Sequence, residues 1–364
     1  MSQIRVREAT PGDNEALLRL SRKCPMTADI SLSIERDPDF FALSRLRGEG
    51  STYVAEREGR VVASGSVFRR PGYLFGAPAT IGCVADLKVL PELRGRGLAG
   101  RIVRAIVDGE SGDVTTPFMA TAAAGNAGVE RTVARLAGHC PVTRLGTFTS
   151  FQLLPVRIPQ RPPRLDVRLA TPADEDELAS LLDAHHRQLA FAPVFRDGGF
   201  RRLLDLTPGL ELESYRVARR EGRLVAALAA WGESAVKRTR VRRLPGALRL
   251  ASRLAAAASS LGVPRLPGEG ELLRFVYLRH LAYAPGEEDA LAALVHASLR
   301  EARSAGLHFV LLTCQDDDPA ADATRGLLRL RYRYSLFAGT VSERGRGLLE
   351  ALARERLFDD AALA

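Results

Sequence analysis

The residues with the clearest chemical purpose lie in one short run, Val89-Leu90-Pro91-Glu92-Leu93-Arg94-Gly95-Arg96-Gly97-Leu98-Ala99-Gly100. Ile81–Val89 before it is β-branched or apolar at most positions and reads as a strand ending in a Pro turn. The segment after it, from Leu98 through Ile102-Val103 and Ile106-Val107 to Asp108, reads as a helix. A glycine-rich loop that opens a helix offers unpaired backbone N–H groups and the positive end of the helix dipole, which suits a pyrophosphate. Gly95 and Gly97 let phosphates approach the backbone, and Arg94 and Arg96 add charge-assisted hydrogen bonds. The bare pattern R-x-x-G-x-[G/A] is weak: it also falls at Arg45–Gly50 and Arg265–Gly270. Those two lead into strand-like runs, Ser51–Glu56 and Leu272–Leu278. Only Arg94–Ala99 leaves a strand and opens a helix.

Other polar groups promise less. His185-His186 has no partner at metal spacing and reads as a surface pair. Asp316-Asp317-Asp318-Pro319 follows a strand and reads as loop capping rather than a cation site. His139 and Cys140 lack a third member for a nucleophilic triad. Cys24, Cys83, Cys140 and Cys314 show no C-x-x-C pair and no zinc spacing, so free thiols and no bound metal are expected.

The elements that must hold the loop come twice. Val6-Arg7-Glu8-Ala9-Thr10-Pro11-Gly12-Asp13 matches Val167-Arg168-Leu169-Ala170-Thr171-Pro172-Ala173-Asp174, and Glu58-Gly59-Arg60-Val61-Val62-Ala63 matches Glu221-Gly222-Arg223-Leu224-Val225-Ala226, at nearly one offset. Two ordered matches indicate a duplicated fold. Between the copies lies Pro155-Val156-Arg157-Ile158-Pro159-Gln160-Arg161-Pro162-Pro163, a stiff Pro-rich linker. The second copy lacks the cradle: after Pro285-Gly286 its helix opens on Glu287-Glu288-Asp289, which suits a helix N-terminus and repels a pyrophosphate. A chain of 364 residues with 46% apolar and 26% charged content accommodates two such domains.

The formal net charge is +9, and only three of the 52 cationic residues are Lys. That Arg excess runs through the whole chain and does not single out nucleic acid. The densest part is an insertion, Gly232 to about Glu271, with Lys237, Arg238, Arg240, Arg242, Arg243, Arg249 and Arg253. Leu244, Leu248 and Leu250, then Leu254–Leu261, could form an amphipathic helix, read as a solvated helix over a sheet face with a membrane-surface or nucleic-acid patch as the alternative; no aromatic interleaves the arginines to stack bases. No apolar run is long enough to span a bilayer, and no signal segment is apparent, so a cytoplasmic protein is expected.

Leu87-Lys88-Val89 with Pro91 and then Arg94-Gly95-x-Gly97-Leu98-Ala99 resembles the acetyl-CoA motif of the GNAT superfamily of N-acetyltransferases. The flanks carry the resemblance across residues 1–154: Ile4–Asp13 as first strand and helix cap, a hairpin of Tyr53–Glu58 and Arg60–Phe68, a strand at Phe118–Ala122, and a helix at Asn126–Leu136. The expected fold class is α/β (α+β): two tandem GNAT-like domains, each a mixed, mostly antiparallel twisted sheet flanked by helices. The expected boundaries are 1–154 for the acetyl-CoA domain, 155–165 for the linker, 166–340 for a degenerate copy with the basic insertion 232–271, and 341–364 for a helical tail.

The resemblance implies a direct acetyl transfer from acetyl-CoA to an amine in a ternary complex. The acceptor would be a small-molecule or protein amine. The alternative is a non-catalytic acyl-CoA-binding sensor. A tRNA-dependent transferase of similar architecture would not need the diphosphate loop. The resemblance places the backbone of Leu87, Lys88 and Val89 along the pantetheine arm, Arg94, Gly95, Arg96, Gly97, Leu98, Ala99 and Gly100 around the diphosphate, and Asn126 at the cofactor arm. It gives Asp86, on the same strand, the amine proton, through a pKa raised by burial; the alternative is a carboxylate that pairs with a nearby Arg in this arginine-rich chain. It puts Glu35 and Asp39, in Ser33–Phe41, on the acceptor side, facing a cationic acceptor. One departure stands out: many members carry a Tyr in the helix after Asn126 as general acid, and Val133–His139 has none.

Overall fold

One ion-paired cap, used twice, sets the start of each repeat. After β1 (Ile4–Glu8), the Thr10 amide donates to Asp13 Oδ2 at 2.7 Å, and Pro11 fixes the first turn leading into α1 (Asn14–Lys23). Arg7 donates to both Asp13 oxygens at 2.8 Å. The second repeat copies this: Thr171 donates to Asp174 at 2.8 Å, and Arg168 donates to both its oxygens at 2.6 and 2.8 Å. The duplication inferred from sequence is therefore structural. The structure, a computed structural model, describes residues 4–27, 31–109, 116–136, 140–159, 165–246, 249, 250, 252, 266–341 and 343–363. Gly138, His139, the linker residues Gln160–Pro163, and Arg253 with Leu254–Leu261 of the insertion lie outside these residues.

The first repeat continues with β2 (Met26–Thr27), β3 (Ser31–Glu35), α2 (Ala42–Arg47), β4 (Glu49–Arg57), β5 (Arg60–Leu74), β6 (Ala77–Val89), α3 (Leu98–Gly109), β7 (Phe118–Ala123), α4 (Ala127–Leu136) and β8 (Val142–Leu153). The second runs β9 (Asp166–Leu169), α5 (Glu175–His186), α6 (Gly199–Leu206), β10 (Tyr215–Arg220), β11 (Arg223–Trp231), β12 (Arg238–Arg243), β13 (Phe275–Tyr283), α7 (Glu288–Ser304), β14 (Phe309–Gln315), β15 (Arg329–Gly339) and α8 (Arg346–Leu352). Among the described residues, twelve strands form one sheet in the order β1-β4-β5-β6-β7-β15-β8-β14-β13-β11-β10-β9. Neighbours are antiparallel except β6 with β7 and β13 with β14.

The repeats exchange their last strands. β8, from the first, lies between β14 and β15; β15, from the second, lies between β7 and β8. The 154/155 boundary is therefore one in sequence, while the sheet crosses it. Most of the helix expected in the insertion, Leu254–Leu261 included, lies outside the described residues. The basic stretch that opens the insertion, Arg238–Arg243, is a strand that pairs with β3 of the first repeat, Arg238 opposite Glu35 and Thr239 opposite Ile34. Together with β2 it makes a three-stranded sheet across the repeats. After α8 the tail runs back into the molecule: Ala190 and Leu357 form a parallel bridge, and the Phe358 amide donates to Ala190 O at 2.9 Å.

Helix α3 packs on the sheet through Leu98, Ile102 and Ile106, and α7 does so through Leu291, Leu294, Val295 and Leu299. The close approach of α3 depends on Gly65, where a Cβ would sit 2.5 Å from Ile102 Cγ2. His186 is not a surface residue: it is fully buried against Phe195, Phe358 and His280. Its helix turns it inward because it follows Leu178 and Leu182 at four-residue spacing. The four cysteines are free thiols. No helix of the described residues is long and apolar enough to cross a membrane, and no group of three or more His, Cys, Asp or Glu among them is placed to hold a metal ion.

Candidate active site

The site begins where two parallel strands part. β6 and β7 pair only at Gly82–Phe118 and Cys83–Met119, and beyond that point Val84–Val89 diverges from Ala120–Ala123. A bulge lies on the diverging stretch: Ser66 pairs with Ala85 and Ser64 with Lys88, so Asp86 and Leu87 together face Gly65. Asp86 adopts φ +54°, in the left-handed region, and its carbonyl accepts from Ser64 Oγ at 3.0 Å. The bulge redirects the backbone of Leu87, Lys88 and Val89 and leaves it free of a partner strand on the β7 side, where an extended ligand arm would need hydrogen bonds.

The loop after β6 has the shape of a cradle. Pro91–Leu93 forms a single 3-10 turn and α3 starts at Leu98, so Arg94–Gly97 links the two. Gly95 and Gly97 have φ of +81° and +76°. These values favour glycine, and they turn successive amides toward one side. A Cβ added at Gly95, Gly97 or Gly100 would meet nothing within 4 Å, so the loop is open on its outer face. Arg94, Gly95 and Arg96 are exposed, and Arg94 Nε donates to Val89 O at 3.3 Å, which tethers it to the end of β6. Leu98 is buried and anchors the helix start, while Ala99 keeps the first turn small. These residues fit a diphosphate.

Asn126 caps α4. Its Oδ1 accepts from the amides of Gly128 at 3.1 Å and Val129 at 3.3 Å. It also lines a cleft of about 370 Å3 under the start of α4, with Ala122, Gly125, Arg144, Arg333 and Phe337. α4 carries no Tyr.

The carboxylates expected on the acceptor side are engaged by arginines. Glu35 receives Arg240 Nε at 2.7 Å and Nη2 at 3.1 Å, and Arg240 holds its carboxyl below the usual range. Its role is to join the two halves of the small sheet. Asp39 accepts the Phe41 amide at 2.8 Å and Arg45 Nη2 at 2.5 Å, as a cap at the start of α2. Both carboxylates therefore already carry an arginine counter-ion.

Asp86 is paired with arginines, the alternative reading of its sequence context, and its pKa is lowered where burial was expected to raise it. Arg36 donates to its two oxygens at 2.8 and 2.6 Å, Arg47 Nη1 donates at 2.5 Å, and Lys88 Nζ stands 3.6 Å away. Burial on its own would raise the Asp86 pKa, but the fields of Arg36, Arg47 and Lys88 outweigh it and hold the carboxyl well below its ordinary value. A saturated carboxylate of that kind is a poor proton acceptor. It positions the strand: the guanidinium clamp fixes the one residue whose left-handed backbone creates the bulge.

Sequence reasoning did not single out Arg36 or Arg47, because in an arginine-rich chain no local signal distinguishes a clamp from a surface residue. It also missed the contacts of the tail's last residues. Arg47 Nε donates to Leu363 O at 2.6 Å, Arg279 pairs with Asp360 at 2.6 Å, and Tyr334 OH donates to Asp359 at 2.6 Å. Burial pushes the Asp359 carboxyl up to about 6. Nearby, Lys237 is buried beside Glu233 at 3.7 Å, with burial drawing its ammonium down to about 8 against the opposing field of Glu233. The Asp316–Asp318 run is loop capping: Asp318 accepts the Ala320 amide at 2.8 Å.

Comparison with known proteins bears on this geometry. Residues 5–111 match the family model of an acetyltransferase (GNAT) domain. No curated protein matches the chain in sequence. Among solved structures, the chain is similar to a GCN5-related N-acetyltransferase from Sphaerobacter thermophilus, at 16% identity and a TM-score of 0.59 over 93% of this chain and 96% of that one. It is similar to a tandem GNAT protein from the clavulanic acid biosynthesis pathway, at 12% identity and 0.56 over 93% and 99%. It is also similar to Saccharomyces cerevisiae N-myristoyltransferase with bound myristoyl-CoA, at 12% identity and 0.60 over 93% and 79%. At these identities the likeness is one of fold.

Proposed function

We propose that this chain, a tandem-domain member of the GNAT superfamily, is a CoA-thioester-dependent N-acyltransferase that uses acetyl-CoA as donor and an amine as acceptor. The observation that carries the reading is the coincidence of three features on one strand–loop–helix unit: the parting of β6 from β7, the bulge at Asp86, and the open cradle Arg94–Gly100.

In this reading the first repeat holds the donor. Arg94 and Arg96, with the amides of Gly95, Gly97, Leu98, Ala99 and Gly100, bind the diphosphate. The backbone of Leu87, Lys88 and Val89 binds the pantetheine arm, and Asn126 borders it. The thioester supplies an activated acyl carbon with a good leaving group. The chain's own contribution is positional and electrostatic: it holds the arm in the fork, aims a backbone N–H of the bulged strand at the acyl oxygen, and shields the site from water. The amine nitrogen bonds to the acyl carbon, the C–S bond breaks, one proton leaves the amine and the sulfur gains one. The second repeat, 166–340, has a structural and substrate-shaping role, and 155–165 links the two.

The sensor reading is favoured by one observation, the engagement of Asp86 by two arginines. Thiol release from acetyl-CoA in the presence of a panel of amines separates the two. Release that depends on the amine supports transfer. Tight acetyl-CoA binding with no amine-dependent release supports the sensor and overturns transfer.

A further inference from the structure

The acceptor side of the fork carries more buried positive charge than its carboxylate balances. Arg36, Arg47 and Lys88 share Asp86, and the Arg36, Arg47 and Asp86 side chains are only 3%, 2% and 2% exposed. The adjacent Lys237–Glu233 and Arg279–Asp360 pairs are balanced one to one, and the nearby Asp359 carboxyl is engaged by Tyr334 OH and faces the charge of Arg70. Glu35 and Asp39 are held by Arg240 and Arg45. Charges removed from water without a counter-ion are costly, so a cluster of three cations on one carboxylate is poised for an anion. The positive field is felt nearby: Arg47 and Arg36 both contribute to drawing the Lys237 ammonium down. One ligand position is already defined, since Arg47 Nε donates to Leu363 O, a neutral oxygen at the end of the tail.

We infer that the acyl acceptor is an amine that also bears a carboxylate, and that this carboxylate takes the place of the Leu363 carbonyl on Arg47, next to Lys88. A carboxylate there gains a guanidinium hydrogen bond and neutralises part of the surplus, which the carbonyl oxygen does not. The inference rests on the acyl-transfer reading, and it reverses the polarity first expected for the acceptor side.

The test uses amines matched in skeleton, glycine and glycinamide, β-alanine and β-alaninamide, L-leucine and L-leucinamide, with kcat/KM expressed per concentration of neutral amine because the amide lowers the pKa of its neighbouring ammonium. With saturating acetyl-CoA, at least one acid is expected to exceed its amide by about 10-fold or more in kcat/KM, the worth of a charge-assisted hydrogen bond. Arg47→Lys and the partly exposed Lys88→Met are expected to bring the acid-to-amide ratio toward one, with folding checked by circular dichroism. Amides equal to or better than the acids would overturn the inference, as would a ratio unchanged in both variants. If acetyl-CoA is bound but no amine is acylated, transfer has failed separately, and the carboxylate site is read by calorimetric titration with N-acetylglycine against N-acetylglycinamide. Tighter binding of the acid, lost in Arg47→Lys, then supports the site. Equal binding, or none, overturns it.

Discussion

The two repeats share a backbone to the level of single bulges and differ in what they leave open. Glu58 and Glu221 both have φ of 52°, at equivalent hairpins. The register slips after Ala55 and after Ala218, and again after Ser64 and after Ala227. Asp86 at φ +54° corresponds to His280 at φ +53°. Both repeats part a pair of parallel strands, the second after Leu278–Leu312. Yet the second fork is closed by its own chain: the cavity between β13 and β14 is lined by Leu357–Ala362 of the tail. Its helix start carries Glu287 and Asp289, both bound by Arg220 at 2.9 and 2.7 Å. The first fork opens onto a glycine loop flanked by exposed arginines. Duplication preserved the scaffold, and chemistry diverged through the few side chains at the fork and the helix start.

The bulge residues give the largest expected contrast. Asp86→Ala would leave Arg36 and Arg47 buried without their counter-ion and should cost about 3–5 kcal/mol in urea unfolding. His280→Ala removes a 2.7 Å hydrogen bond to Tyr215 and should cost less, about 1–3 kcal/mol. Equal losses would break the distinction between an ion-clamped and a neutral bulge.

Helix approach differs at one equivalent position, Gly65 in the first repeat and buried Leu228 in the second. Gly65→Ala should overpack Ile102 and destabilise by about 1–3 kcal/mol. A neutral result would mean that α3 does not depend on that close contact.

Acid should separate the repeats as well. Burial depresses His186 to about 3 and holds His280 well below the ordinary histidine value. A histidine kept neutral in the fold while the unfolded chain protonates near 6.5 contributes stability that is full above pH 6.5 and declines as pH falls toward the folded value. From His186 the loss at pH 5 is about 2 kcal/mol. In the first repeat Asp13 is depressed by Arg7, so its contribution persists down to about pH 4, where the unfolded carboxylate begins to protonate. Hydrogen exchange, corrected for intrinsic rates, should show β11 and β13 losing protection between pH 7 and 5 while β4 and β5 keep theirs. The reverse order would refute the contrast.

The smallest expected difference is none at all. Arg7→Ala and Arg168→Ala break matching cap pairs, Arg7 also losing Glu56 while Asp174 keeps Arg219, and should each cost about 1 kcal/mol. Effects that differ by several-fold in thermal unfolding would show that the caps are not equivalent.

Local pattern made the cradle, the cap motif and the repeat legible, because each is a contiguous run whose residue types dictate backbone shape: glycine at positive φ, Thr-Pro-x-Asp at a helix start, apolar periods for β6 and α3. What escaped was decided by partners far apart in sequence. Asp86 reads either as a base or as an arginine's partner, and only the fold brings Arg36 and Arg47 to it, from segments 50 and 39 residues away. Arg238–Arg243 reads as a solvated basic segment until β3 provides an edge for it. The exchange of β8 and β15 has no local signal, since each strand's pattern suits either sheet. His186 looked exposed because its neighbour His185 suggested a polar pair, while the four-residue spacing to Leu182 decided its burial.

The proposed function stands or falls on the loop Arg94–Gly100 as the holder of a CoA thioester's diphosphate. Calorimetric titration of the full chain with acetyl-CoA, beside an Arg94→Glu, Gly97→Asp double variant, tests it directly. The account predicts micromolar binding to the intact chain and a loss of about 100-fold or more in the variant, from the removal of one charge-assisted contact and the introduction of two like charges. No binding to the intact chain, or equal affinity in the variant, would contradict it.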